Sequence, residues 1–119
     1  MASRIQNITI DQGTDYTENF VAYSAKSSTA AKDITDYTVY AQMRKSYYHA
    51  NAVLAFTAEN ETPTSGVVSL SANNTQTSLL TPGRYVYDIE IASSAETPIK
   101  TRIIEGIVTV TPEATKAIT

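Results

Sequence analysis

The segment Arg44–Ala50, RKSYYHA, gathers two cations, two adjacent tyrosines and the chain's one histidine. Three chemistries could use such a set. Histidine is the usual base near neutral pH for a serine or threonine nucleophile. Cations interleaved with aromatic rings grip single-stranded nucleic acid. Tyrosine and arginine are also the residues enriched where one protein touches another. Serine and threonine are so abundant that a hydroxyl near His49 carries no weight, and an exposed loop histidine is the simpler reading. Nucleic acid is opposed by charge, because phosphate neutralisation drives that affinity. Nine Lys and Arg stand against twelve Asp and Glu, for a net charge of −3. Protein contact is the reading that remains.

Other reactive patterns are thin. With no cysteine, thiolate metal ligation and disulfides are both unavailable. DQGTD sets Asp11 and Asp15 around a glycine but lacks the further oxygen ligands of a calcium loop, so it reads as a turn. In YDIEI, Asp88 and Glu90 lie on one strand face about 7 Å apart. Glycosidases draw their paired carboxylates from different segments lining a cleft, so these two are expected on a solvated face. The sequons NIT, NET and NNT carry no weight without an export signal. Neither TPG nor TSG resembles a phosphate-cradling loop. The expectation is a chain that is not an enzyme, with no catalytic residue, metal or cofactor.

Apolar residues recur along the chain at period two rather than 3.6, which predicts strands. Ile8 and Ile10 share a face. Tyr16, Phe20 and Ala22 follow in phase, with Glu18 breaking the pattern. DYTVYAQMRK puts Tyr37, Val39, Ala41 and Met43 on one side and Tyr40, Gln42 and Arg44 on the other. VVSLSA presents Val68, Leu70 and Ala72 together, and TQTSLL is read as a short helical turn stopped by Pro82 and Gly83. RYVYDIEI is the clearest strand, with Tyr85, Tyr87, Ile89 and Ile91 in phase and Tyr85 placed for a tyrosine corner. In IKTRIIEGIVTV, Ile99 and Ile103 are out of phase with Ile104, Val108 and Val110. That switch predicts a bulge beside Gly106, or a strand bending between sheets.

About seven short strands separated by turns, with no long helix, predict an all-β chain: a single immunoglobulin-like β-sandwich. Its 119 residues suit one domain, over residues 1–111, with 112–119 a polar tail after Pro112. No stretch reaches the roughly 20 apolar residues of a membrane span, and no secretory signal is visible. NAVLAFTA is apolar on both faces. With Leu54 and Phe56 in the core, Val53 and Ala55 point outward beside the tyrosine loop, as on a surface that either another subunit or a loop of this chain covers. The candidate contact surface is therefore Tyr40, Arg44, Tyr47, Tyr48, His49, Val53 and Ala55.

The order of DQGTDYTENF, DITDYTVYAQMRKS, LLTPGRYVYDIEI and RIIEGIVTVTPEAT resembles a β-sandwich family of tailed-bacteriophage virion proteins. It is similar to the domain at the N-terminus of phage baseplate upper proteins. That family has a qG turn, a DLTGyTV segment, a pGxYxYxI strand and a final xGxvxVxPxxT strand. Gln12 and Gly13 stand at the first, Asp33 to Tyr37 at the second, Pro82, Gly83, Tyr85, Tyr87 and Ile89 at the third, and Gly106, Val108, Val110, Pro112 and Thr115 at the last. Asp36 stands where the family often has glycine. No fibre or receptor-binding part follows in this sequence, so the expectation is a stand-alone module. The resemblance implies a virion structural protein, assembled in the host cytoplasm. Its expected partners are the major capsid protein, tail or neck proteins, or further copies of itself, with neither nucleic acid nor membrane. Capsid decoration or cement is the first expectation, and a neck, tail or baseplate accessory the second. A carbohydrate- or receptor-binding module using Tyr40, Tyr47 and Tyr48 as stacking platforms is the alternative from another class.

Overall fold

A computed structural model describes residues 4–23 and 31–115. Most of the polar loop over 24–33 and the end of the tail, residues 116–119, lie outside the described residues. The period-two alternation becomes nine strand segments: β1 (Arg4–Ile5), β2 (Ile8–Asp11), β3 (Tyr16–Val21), β4 (Thr38–Arg44), β5 (Leu54–Ala55), β6 (Thr57–Thr62), β7 (Val67–Ala72), β8 (Gly83–Ala92) and β9 (Lys100–Thr111). One short helix, α1 (Asn74–Ser78), joins β7 to β8. Asn73 caps it, accepting from the Gln76 N–H at 2.8 Å, while the Gln76 side chain accepts from the Asn73 N–H.

The segments form two sheets, so the expected all-β class and two-sheet sandwich are found. One sheet has the order β1-β9-β8-β4-β5, with β2 also on β9; the other has the order β3-β7-β6. The count of about seven is corrected to nine because two strands are broken. β1 and β2 both run parallel to β9 and are interrupted at Gln6 and Asn7. β5 pairs with β4 in the large sheet, whereas β6, one residue later, pairs with β7 in the small one.

That crossing corrects a second expectation. The strand that changes sheets is Leu54–Thr62, pivoting at Phe56, and not the last strand. Leu54 and Phe56 are both buried and Ala55 is exposed, as the two-faced apolar pattern requires. The bulge does lie in β9, but at Ile103: Ile89 pairs with Ile104 and Glu90 with Arg102, which leaves Ile103 as the extra residue. Both isoleucines are therefore buried, while Ile99 is exposed. Gly106 has a different duty, since a Cβ there would lie 2.3 Å from the Gln6 carbonyl oxygen.

The core is the set of inward faces the alternation marks. Val39, Ala41 and Met43 of β4, Tyr85, Tyr87, Ile89 and Ile91 of β8, and Val68, Leu70 and Ala72 of β7 are all buried. Phe20 meets Tyr87 across the sheets at 6.5 Å between ring centroids, and Tyr16 meets Phe56 at 5.9 Å. The Tyr85 hydroxyl donates to the Thr81 carbonyl at 2.5 Å, the local geometry of a tyrosine corner. Glu18 breaks its strand's pattern because β3 is an edge. Its carboxylate accepts from the Tyr16 hydroxyl at 3.2 Å and from the Gln6 side chain at 3.3 Å. An inward charge on an edge strand also discourages pairing with another chain.

Candidate functional site

The seven expected contact residues lie on β4, in the β4–β5 loop and at β5, and fall into two groups. Tyr40 and Arg44 stand on β4 among its outward residues. Tyr47 belongs to the loop, yet with Tyr40 and Arg44 it lines a cleft of about 630 Å³ on the large sheet's outer face. Tyr48 and His49 form the exposed tip of the loop, and Val53 and Ala55 lie at the edge strand β5. Tyr48 is 97 % exposed and Val53 45 %.

The loop is held by its own polar groups. Arg44 donates to the Ala50 carbonyl at 3.1 Å and to the Gln42 side-chain oxygen at 2.7 Å. Lys45 donates to the Arg84 carbonyl at 3.1 Å, and its ammonium lies 4.8 Å from the centre of the Tyr85 ring. Ser46 Oγ is 2.8 Å from His49 Nδ1 and also accepts from the Tyr48 N–H at 3.4 Å, while the His49 N–H donates to the Ser46 carbonyl at 3.2 Å. The serine and histidine thus cap a turn in which they are three residues apart. Arg44 and Lys45 act as struts that present Tyr47 and Tyr48.

Asp88 and Glu90 lie on the expected outward face of β8, partly exposed, but the cleft over that face was not legible from the chain. Both line it, together with Lys100 and Arg102 from β9. Register explains the meeting: Tyr40 pairs with Glu90, which pairs with Arg102, and Gln42 pairs with Asp88, which pairs with Glu105. Arg102 Nε lies 3.2 Å from Asp88, and Arg102 Nη1 donates to Glu105 at 3.2 Å. Burial pushes the Asp88 carboxyl above the usual aspartate range and the neighbouring Glu90 adds to it, with Arg102 pulling the other way. Burial, then the Glu105 charge, also raises the Tyr47 phenol. The alternation of β8 does put Asp88 and Glu90 on one face. Their partners come from β9, out of register by one residue because of the bulge at Ile103.

Other residues with reactive side chains are engaged in turns. Asp11 accepts from the Thr111 hydroxyl at 2.7 Å, and Asp15 accepts from the Asn74 backbone N–H at 2.6 Å. Among the described residues, no three His, Asp or Glu side chains converge as metal ligands would. The three sequon asparagines hold backbone: Asn7 accepts from the Ile107 N–H at 3.0 Å, Asn60 donates to the Ile34 carbonyl at 2.8 Å, and Asn73 caps α1. No helix of the described residues is long and apolar enough to cross a membrane.

No protein-family model matches the chain, and no curated protein matches it. Among solved structures it is similar to an internalin-like protein of Listeria monocytogenes, at 15 % identity and a TM-score of 0.42, with 88 % of this chain and 27 % of that chain covered. The chain spans about a quarter of that protein's length. A likeness at this level carries no argument.

Proposed function

We propose that this chain is a non-enzymatic structural module of a tailed-phage particle, working through protein–protein contacts, and that its first place is decoration or cementing of the capsid. A neck, tail or baseplate position is the second placement and would use the same surface. The observation that carries the contact reading is the edge of the large sheet. There Val53, just before the last, two-residue strand, and Ala55, within it, are exposed, directly after a loop whose tip holds Tyr48 almost wholly in solvent.

Such an edge offers a neighbour apolar area, a rigid aromatic ring and unpaired strand backbone at once. The phage setting rests on the resemblance of the DQG, DITDY, PGRYVYDI and EGIVTVTP segments. Many identical weak contacts around a symmetric shell add through multivalency, which suits a small module. The test is copy number, by quantitative mass spectrometry of purified particles of the encoding phage with the major capsid protein as reference. One copy per few capsid subunits supports decoration, and a handful per particle supports the neck, tail or baseplate. Absence from purified particles overturns the reading.

A further inference from the structure

The cleft on the outer face is a half-open concavity over β4, β8 and β9. Its volume of about 630 Å³ lies inside the roughly 300–1,000 Å³ usual for ligand sites. Two tyrosine rings, Tyr40 and Tyr47, stand in it about half exposed. Between them the sheet presents Asp88, Glu90, Lys100 and Arg102. Among the described residues, neither phenol, nor the Glu90 carboxylate, nor the Lys100 ammonium has a hydrogen-bond partner. The surface therefore offers acceptors and donors side by side that are bonded to no other protein group.

Charge selects among ligand classes. Three cations, Arg44, Lys100 and Arg102, line the cleft with two carboxylates, Asp88 and Glu90, and Glu105, bonded to Arg102 beside it, brings the charges of the two signs level. A phosphate or sulfate would meet Asp88 and Glu90, and a strongly basic ligand would meet Lys100 and Arg102. A hydrocarbon chain would strip water from all four. A neutral ligand dense in hydroxyls suffers none of these penalties, since each hydroxyl can donate to a carboxylate and accept from an ammonium or guanidinium. The C–H face of a pyranose ring also carries the slight positive charge that the negative face of a tyrosine ring attracts.

We propose that the cleft over β4, β8 and β9 is a binding site for a neutral saccharide, with Tyr40 and Tyr47 as stacking platforms and Glu90 and Lys100 as its principal hydrogen-bonding partners. This goes beyond the virion reading and does not depend on it. The contact edge uses Tyr48, Val53 and Ala55, and the saccharide site does not.

The test is an NMR titration of the isotope-labelled full chain with maltohexaose, cellohexaose, chitotetraose and xylohexaose. At least one is expected to shift the amides of Tyr40, Glu90 and Arg102 saturably. Tyr40→Ala and Glu90→Gln should each weaken that binding about ten-fold or more, about 1.4 kcal/mol, and Tyr40→Phe should largely retain it. Tyr48→Ala should leave it unchanged. Unaltered thermal unfolding of the two weakening variants separates lost contacts from lost fold, and Glu90→Gln carries the test if Tyr40→Ala is unstable. The proposal is overturned if no sugar moves these amides up to about 10 mM, or if the shifts lie elsewhere on the molecule. It is equally overturned if a polyglutamate peptide or a heparin fragment occupies the cleft in place of the neutral sugars.

Discussion

The buried hydroxyl of Tyr87, in the middle strand of the large sheet, donates its hydrogen bond to the backbone carbonyl of Gln6, in the break between β1 and β2. A core residue of β8 thus fixes the point at which the N-terminal strand is interrupted. Tyr87→Phe keeps the ring against Phe20 and removes only the donor. We expect a loss of about 1 kcal/mol in unfolding free energy, read by chemical denaturation. The loss of protection in amide exchange should be concentrated at β1 and β2. A variant with wild-type stability and exchange would show that packing alone holds the segment.

Gly106 lies beneath the same break. Its absent side chain lets the Gln6 carbonyl come within 2.3 Å of where a Cβ would be, and the nearest obstacle is backbone that cannot rotate away. Gly106→Ala must therefore displace the N-terminal strand from β9, at an expected cost of about 1–3 kcal/mol. The same denaturation experiment measures it. An unchanged midpoint would mean that the break tolerates the methyl group.

How far the chain could be read follows from these two residues. The inward faces of β4, β7 and β8 were legible because one buried side imposes a strict period of two, which any window of six or seven residues displays. Tyr85 at the corner and the helical turn after Ala72 were also legible, since both are local. The bulge in β9 was legible from its switch of phase but not its place at Ile103, and the break over Gly106 and the change of sheet at Phe56 were not. Each is set by a partner strand far along the chain, and local alternation says nothing about which strands are neighbours. The candidate site divides in the same way. Tyr48, Val53 and Ala55 stood out as apolar or aromatic residues with nothing local to cover them. The cleft needed Tyr40, Glu90 and Arg102 in one row across three strands, which only the register of the sheet supplies.

Asp36 closes a turn in which the Tyr37 N–H donates to the Ile34 carbonyl at 3.0 Å, and it does so at φ 67°. A side chain in this left-handed region costs about 1–2 kcal/mol in general, and less for aspartate, whose short polar group suits it. Asp36→Gly is expected to stabilise by up to about 1 kcal/mol. Asp36→Val, branched at Cβ, should destabilise by about 1–2 kcal/mol. Thermal unfolding of the pair tests the sign of both. If Asp36→Val matched the wild type, the turn would have to relax out of its positive φ.

The folded Asp88 carboxyl titrates above its unfolded value, for which an aspartate is about 3.9. Between those two values the native state holds more proton than the unfolded state. This group's contribution is accordingly most favourable at acidic pH and declines as pH rises through that interval. Arg102 opposes the shift, so Arg102→Ala should move the Asp88 midpoint further upward, as followed by the side-chain carboxyl carbon in NMR. An unchanged midpoint would mean that the ion pair with Arg102 contributes nothing to the electrostatics of the cleft.

Tyr48 and Val53 lie apart from the cleft, and this separation gives the assembly reading its own variants. Tyr48 has no packing to lose. Val53 contributes its backbone N–H to the Met43 carbonyl at 2.8 Å and leaves its side chain half in solvent. Tyr48→Ala and Val53→Asp should each leave unfolding within about 0.5 kcal/mol of wild type, as surface changes do. If the edge is a docking surface, Val53→Asp buries a charge against the neighbour and should abolish incorporation, whereas Tyr48→Ala should lower it several-fold. Tyr40→Ala, in the cleft, should assemble normally. Particles grown with each variant and assayed for the chain by mass spectrometry decide the matter. Normal incorporation of Val53→Asp would move the contact away from β5, and failure of Tyr40→Ala alone would put the neighbour in the cleft.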